Sequence, residues 1–182
     1  MAAHIATPSH SASVTLVLGG ARSGKSTYAE TLVESAGGRV YLATAEAGDA
    51  EMAERILRHR QRRGKSWRTV EEPLDLAGAL MRHAQPGRPI LVDCLTLWLS
   101  NLMAAGRDVD GEMKALADGL STLAGPVVLV ANEVGLGLVP ETPLGRAFRD
   151  HAGRLNQTIA RKADRVVFIA AGLPLILKDT QA

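Results

Sequence analysis

Five short apolar runs, continuous rather than alternating, constrain what this chain can fold into more than any other feature. They are Val14-Thr15-Leu16-Val17-Leu18 before Gly19-Gly20, Arg39-Val40-Tyr41-Leu42-Ala43 before Thr44, Pro89-Ile90-Leu91-Val92 before Asp93, Val127-Val128-Leu129-Val130-Ala131 before Asn132-Glu133, and Val166-Val167-Phe168-Ile169-Ala170 before Gly172. A strand with one wet face alternates in polarity, whereas a strand covered on both faces reads apolar throughout. Helical patterns separate the runs: Lys25 to Ser35 stopped by Gly37-Gly38, Asp49 to Arg63, Leu74 to Ala84, Leu95 to Ala105 and Met113 to Leu123. Thr142-Pro143 reads as an N-cap followed by a first-turn proline, opening a helix with Leu144, Phe148, Leu155 and Ile159 on one face. A short final strand is expected at Leu173 to Leu177. Strands alternating with helices predict an α/β fold, a mostly parallel sheet with helices on both faces. Ligands of such sheets bind at the carboxyl ends of the strands, which puts the loops after Leu18, Ala43, Val92 and Ala131 on one functional rim.

No linker and no repeat divides the 182 residues, so one domain is expected over residues 14–182. It follows an Ala/Ser/His/Pro-rich tail, residues 1–13, read as disordered because it lacks the basic start and apolar core of a signal peptide. Cys94 is the only cysteine, so no internal disulfide can form, and no Cys/His spacing fits zinc. No apolar run reaches the ~18 residues of a membrane span, and a cytoplasmic location is expected. Net charge is only +2 and aromatics are 3%, which argues against a basic coat or base-stacking surface. Nucleic acid is therefore not an expected partner.

The run ending at Leu18 leads into Gly19-Gly20-Ala21-Arg22-Ser23-Gly24-Lys25-Ser26, a complete GxxxxGK[ST] match between a strand and a helix. That is the context of a P-loop, and it makes the sheet P-loop NTPase-type. Glycines allow backbone N–H groups to curl around phosphate oxygens, Lys25 is placed to reach the β- and γ-phosphates, and the Ser26 hydroxyl to ligate Mg²⁺. Asp93, at a strand end, has the position of a Mg²⁺-holding acid; capping the following helix is the alternative. Cys94 reads as a small buried apolar residue rather than a nucleophile.

Seven basic residues (Arg55, Arg58, Arg60, Arg62, Arg63, Lys65 and Arg68) and no acid occupy residues 55–68. The rest of the chain carries fourteen basic against nineteen acidic residues, so the small net charge conceals a focused cationic segment. A solvated face is one reading of it, nucleic-acid binding another. Because the segment follows the strand ending at Thr44, its cations are also placed to hold a triphosphate. His59 falls on the inward seam of the predicted helix with Met52 and Ile56. It reads either as a packed core residue or as a nitrogen nucleophile kept neutral by Arg58 and Arg60.

These pieces, with YLATAEAGDAEMAERILRHRQRR, the W-R-T-V-E that follows, VDCLT and NEVGLGLVPETPLGRAFRDHAGRLNQTIARKADRVVFIAAGLPLILK, resemble one family from Val14 to Lys178. It is that of the bifunctional adenosylcobinamide kinase/adenosylcobinamide-phosphate guanylyltransferases of cobalamin biosynthesis. The resemblance implies phosphorylation of the aminopropanol hydroxyl of adenosylcobinamide by a nucleoside triphosphate, ATP or GTP. It then implies transfer of GMP from GTP to adenosylcobinamide phosphate, with pyrophosphate released and adenosylcobinamide-GDP formed. The second reaction passes through GMP on a histidine, which in this pattern is His59. The implied nucleotide contacts are Gly19 through Ser26, Thr44, Ala45, Glu46, Arg60, Gln61, Arg62, Arg63, Glu71 and Asp93, with Mg²⁺ on Ser26 and Asp93. Glu71 could accept from guanine N–H groups or be a surface charge. NEVGLGLVPE is expected to shape the corrinoid side. Relatives form propeller-like trimers, so a homo-oligomer is implied. Some carry histidine at both positions occupied here by Arg58 and His59, and the N-terminal tail is extra.

A regulatory P-loop switch would need an N-K-x-D guanine-reading motif, and none occurs. Binding of nucleic acid through residues 55–68 would fall steeply with salt and would not need Lys25.

Overall fold

The computed structural model describes residues 13–34, 38–45 and 67–180. A seven-stranded sheet organises them: β1 (Val14–Gly19), β2 (Val40–Ala43), β3 (Arg68–Glu71), β4 (Ile90–Asp93), β5 (Val127–Asn132), β6 (Arg165–Ala170) and β7 (Leu173–Asp179). Its spatial order is β3-β2-β4-β5-β1-β6-β7, parallel except for the antiparallel β6–β7 pair. The first strand of the chain thus lies inside the sheet, between two strands made more than a hundred residues later.

Alternate residues of each inner strand feed two cores, which is why the runs are apolar throughout. Val17, Tyr41, Leu91, Val128, Val130, Val167 and Ile169 face α1 (Lys25–Thr31), which contributes Ala29. Leu16, Leu18, Leu42, Ile90, Val92 and Leu129 face four helices on the other side. These are α2 (Leu76–His83), α3 (Leu95–Ala104), α4 (Val109–Leu120) and α5 (Pro143–Lys162). Trp98 of α3 is wholly buried there, and its indole N–H donates to the Leu74 carbonyl at 2.8 Å.

Side-chain caps set the starts of α2, α4 and α5. Thr142 accepts from Gly145 N at 3.1 Å with Pro143 in the first turn, as the sequence predicts. Asp75 caps α2 through Gly78 N, and Asp108 caps α4 through Gly111 N. Because of the Asp108 cap, α4 begins four residues before the predicted Met113 and ends at Leu120. α1 ends at Thr31, short of the predicted Ser35.

β3 was not expected. It is an edge strand in which only Val70 of Arg68-Thr69-Val70-Glu71 is apolar, and three of its four residues are exposed. A strand with one neighbour and one covered face lacks the signal that marked the others. Arg68, the last cation of the basic segment, opens this strand. The final strand does form and runs to Asp179. A two-residue turn joins it to β6, with Ala171 at φ 51° and Gly172 at φ 80°, the left-handed pair that suits a tight hairpin. Among the described residues no helix is long and apolar enough to cross a membrane.

Candidate active site

β1 delivers the chain into the loop 20–24 and α1 takes it away. Close packing explains the glycines at its two ends. A Cβ on Gly19 would lie 2.5 Å from Ser23 Oγ and 2.7 Å from the Ile169 carbonyl. Gly24 sits at φ +96°, where its Cβ would be 3.3 Å from Gly172 Cα. The hairpin turn backs the loop directly, since Gly172 N donates to the Ser23 carbonyl at 2.9 Å. Lys25 is 9% exposed and folds back so that Nζ donates to the Gly20 carbonyl at 3.1 Å. Ser26 is half-buried at the start of α1.

Register places the other predicted residues at the same end of the sheet. Val17 is level with Val130, Val130 with Asp93, Asp93 with Ala43, and Ala43 with Glu71. Asp93 is two residues beyond Leu91 and so faces the α1 side. Its Oδ2 accepts the Tyr41 hydroxyl at 3.0 Å. It does not cap the next helix, because the N-cap of α3 is Cys94 and no side chain bonds there. That removes the alternative reading of Asp93. Glu71 ends the edge strand two strands away, about 10 Å at the usual strand spacing, and is exposed.

Thr44 is wholly buried just past β2. Its hydroxyl donates to the Cys94 carbonyl at 2.7 Å and accepts from Cys94 N at 2.9 Å. Asn101 Nδ2 in turn donates to the Thr44 carbonyl at 2.7 Å. The threonine side chain is therefore spent on the backbone that follows Asp93, a clamp that residue spacing could not reveal. Cys94 itself is buried, and desolvation, then the neighbouring Asp93 carboxylate, push its thiol up to about 11. It is a packed apolar group, as expected.

On the other flank of the loop, Glu133 N donates to the Gly19 carbonyl at 3.1 Å and Asn132 N to Thr96 Oγ1 at 2.7 Å. Asn156 Nδ2 reaches the Asn132 carbonyl at 3.2 Å, so α5 and α3 both hold the end of β5. From there the chain exposes Leu136, Leu138 and Val139. The structure thus brings Gly19 through Ser26, Thr44, Ala45, Glu71 and Asp93 to one rim. Glu46, His59, Arg60, Gln61, Arg62 and Arg63 lie outside the described residues. Sequence reasoning missed Tyr41, Thr96 and the hairpin turn. Only Tyr41 carried a signal: a phenol in a fully covered strand needs a buried partner.

The donor set suits Mg²⁺. Ser26 supplies a hydroxyl and Asp93 a carboxylate whose Oδ1 is left open by the bond at Oδ2. Mg²⁺ characteristically takes one or two protein oxygens and fills its octahedron with phosphate and water. Among the described residues no cluster of three His, Cys, Asp or Glu offers a fuller protein cage.

Fold and rim define a nucleotide-binding protein of the P-loop NTPase type. Across 93% of this chain and 81% of the other, it shares that fold with a KaiC-like protein from Pyrococcus horikoshii, at a TM-score of 0.52 and 14% identity. The chain belongs to the cobinamide kinase / cobinamide phosphate guanyltransferase family, whose model matches residues 15–177. It is 54% identical to the bifunctional adenosylcobalamin biosynthesis protein CobP of Pseudomonas aeruginosa, over 90% of this chain and 96% of that protein. It is 38% identical to the bifunctional adenosylcobalamin biosynthesis protein CobU of Escherichia coli, over 90% of this chain and 98% of that one. The protein is thus an enzyme of cobalamin biosynthesis with the kinase and guanylyltransferase activities of its family.

Proposed function

We propose that residues 14–182 form one catalytic domain that carries out both reactions with nucleotides held on the P-loop rim. In the kinase reaction, the aminopropanol hydroxyl of adenosylcobinamide attacks the γ-phosphorus of ATP or GTP. The bond to the β-phosphate oxygen breaks, the nucleoside diphosphate leaves, and the hydroxyl proton passes to solvent. Loop N–H groups and Lys25 neutralise charge on the β- and γ-phosphates. Ser26 and Asp93 would hold Mg²⁺, which would supply neutralisation of the phosphate charge.

In the guanylyltransferase reaction, a neutral His59 nitrogen attacks the α-phosphorus of GTP and pyrophosphate leaves. A phosphate oxygen of adenosylcobinamide phosphate then attacks the same phosphorus, the N–P bond breaks, and adenosylcobinamide-GDP forms. Arg60, Gln61, Arg62 and Arg63 hold the triphosphate, Ala45 and Glu46 line it, and Glu71 accepts from guanine. The part of His59 and its neighbours rests on the sequence pattern alone. Thr44 serves the site through the backbone it fastens.

The observation that carries the reading is that Asp93 lies on the α1 face of the sheet, and α1 opens with Lys25 and Ser26. Two further features support its outer parts. The exposed Leu136, Leu138 and Val139 offer the apolar faces of a corrinoid a surface at the rim. Exposed Leu173, Leu175, Ile176 and Leu177 on the edge strand β7 suit a homo-oligomer, a trimer by family likeness.

The test is incubation with GTP and Mg²⁺ followed by intact mass measurement. A covalent GMP adduct is expected, labile to acid, stable to alkali and absent in His59→Ala. No adduct in the unaltered protein, or one that persists in His59→Ala, removes the histidine from the mechanism. Lys25→Ala should depress both activities.

A further inference from the structure

We infer that Tyr41 is a positioning residue for the divalent-cation site: its phenol holds one oxygen of Asp93 and thereby presents the other to Mg²⁺. This rests on the role proposed above for Asp93. Tyr41 lies within β2, paired with Leu91 of β4, so Asp93 is its diagonal neighbour on the same face of the sheet. A tyrosine is long enough to span that diagonal, and its hydroxyl meets Asp93 Oδ2 at 3.0 Å. Among the described residues no second hydrogen-bond donor reaches that carboxylate.

The ring is itself held in place. Tyr41 is 5% exposed, and Trp67 meets it edge-on, with centroids 6.1 Å apart and planes at 85°. The Arg39 guanidinium carbon lies 5.2 Å from the centroid of the Trp67 ring. A buried ring with little freedom thus directs its hydroxyl at one oxygen of the acid, whose short side chain turns about only two bonds. A buried hydroxyl costs stability unless it is hydrogen-bonded, and the Tyr41 hydroxyl makes such a bond to Asp93. A phenylalanine would fill the strand equally well, so packing alone does not account for the oxygen.

Groups that orient a metal-binding carboxylate typically change metal affinity by about 10–100-fold when removed. The experiment compares GTP affinity by calorimetric titration with excess Mg²⁺ and with EDTA. It uses the full chain in a His59→Ala background so that no adduct forms. Tyr41→Phe keeps the ring and its contact with Trp67. It should reduce the Mg²⁺-dependent gain in affinity about tenfold or more while leaving affinity in EDTA within about twofold. Asp93→Asn should abolish the gain. A full gain in Tyr41→Phe beside its loss in Asp93→Asn overturns the role of Tyr41 and leaves that of Asp93 standing. A full gain in Asp93→Asn overturns the reading on which both rest. Equal losses with Mg²⁺ and EDTA in Tyr41→Phe would show a merely structural residue.

Discussion

Thr44→Val separates the clamp from packing, because valine has nearly the shape of threonine and the site has no exposure to solvent. Two hydrogen bonds disappear, Thr44 Oγ1 to the Cys94 carbonyl and Cys94 N to Thr44 Oγ1. Their losses are unequal. The Cys94 carbonyl keeps its helical bond from Trp98 N at 3.1 Å, so the first loss costs about 0.5–1.5 kcal/mol. Cys94 N has no other acceptor among the described residues, and an orphaned buried N–H costs about 1–3 kcal/mol. The sum, about 1.5–4.5 kcal/mol, is a large share of the ~5–15 kcal/mol that holds most proteins folded. Thr44→Ser keeps both bonds and gives up one buried methyl, about 1 kcal/mol. Hydrophobic transfer alone would rank valine above serine, and the clamp ranks serine above valine. Equilibrium urea unfolding of the two variants decides between them. A valine variant as stable as the serine variant, or more so, would falsify the clamp and return Thr44 to direct contact with the nucleotide.

Gly24→Ala should strain a backbone at φ +96° and press against Gly172. The left-handed penalty is about 1–2 kcal/mol, which in nucleotide affinity is roughly 5–30-fold; unchanged binding in a calorimetric titration would show that the loop relaxes freely. His83 is held below its ordinary 6.5 by burial first, then by Arg68, Arg82 and Arg88. The folded protein therefore binds that proton more weakly than the unfolded chain, so its contribution to stability is complete above 6.5 and is lost as pH falls through 6.5 toward the folded value. In an NMR titration the His83 resonance should turn over below 6.5, and a midpoint at or above it would contradict the assignment.

The inner sheet was legible because burial on both faces leaves no room for polar positions in Leu16-Val17-Leu18 or Ile90-Leu91-Val92. β3 was hidden by the same logic, since an edge strand can mix Arg68, Thr69 and Glu71 with one apolar residue. The phosphate loop was legible as a local motif, although its glycines answer to crowding from Ile169 and Gly172, far along the chain, as well as from Ser23. The bonds made by Tyr41, Thr44 and Thr96 were not, because their partners Asp93, Cys94 and Asn132 lie 52, 50 and 36 residues away. Position along the chain carries no trace of such pairings until register sets the strands side by side. The extent of α4 was obscured by Gly111, a poor helix former whose N–H is nevertheless what the Asp108 cap requires.

The hairpin turn at Ala171-Gly172 gives the phosphate loop a dependence on the order of synthesis. The loop leaves the ribosome well before β5, β6 and the turn, yet β1 pairs with β5 and β6, and the Ser23 carbonyl receives its bond from Gly172 N. A nascent chain that ended near residue 160 would contain the complete GxxxxGK[ST] motif and neither the β6 neighbour nor the turn behind it. Nucleotide should therefore bind more weakly to a chain that stops before β6 than to one that carries the β6–β7 hairpin.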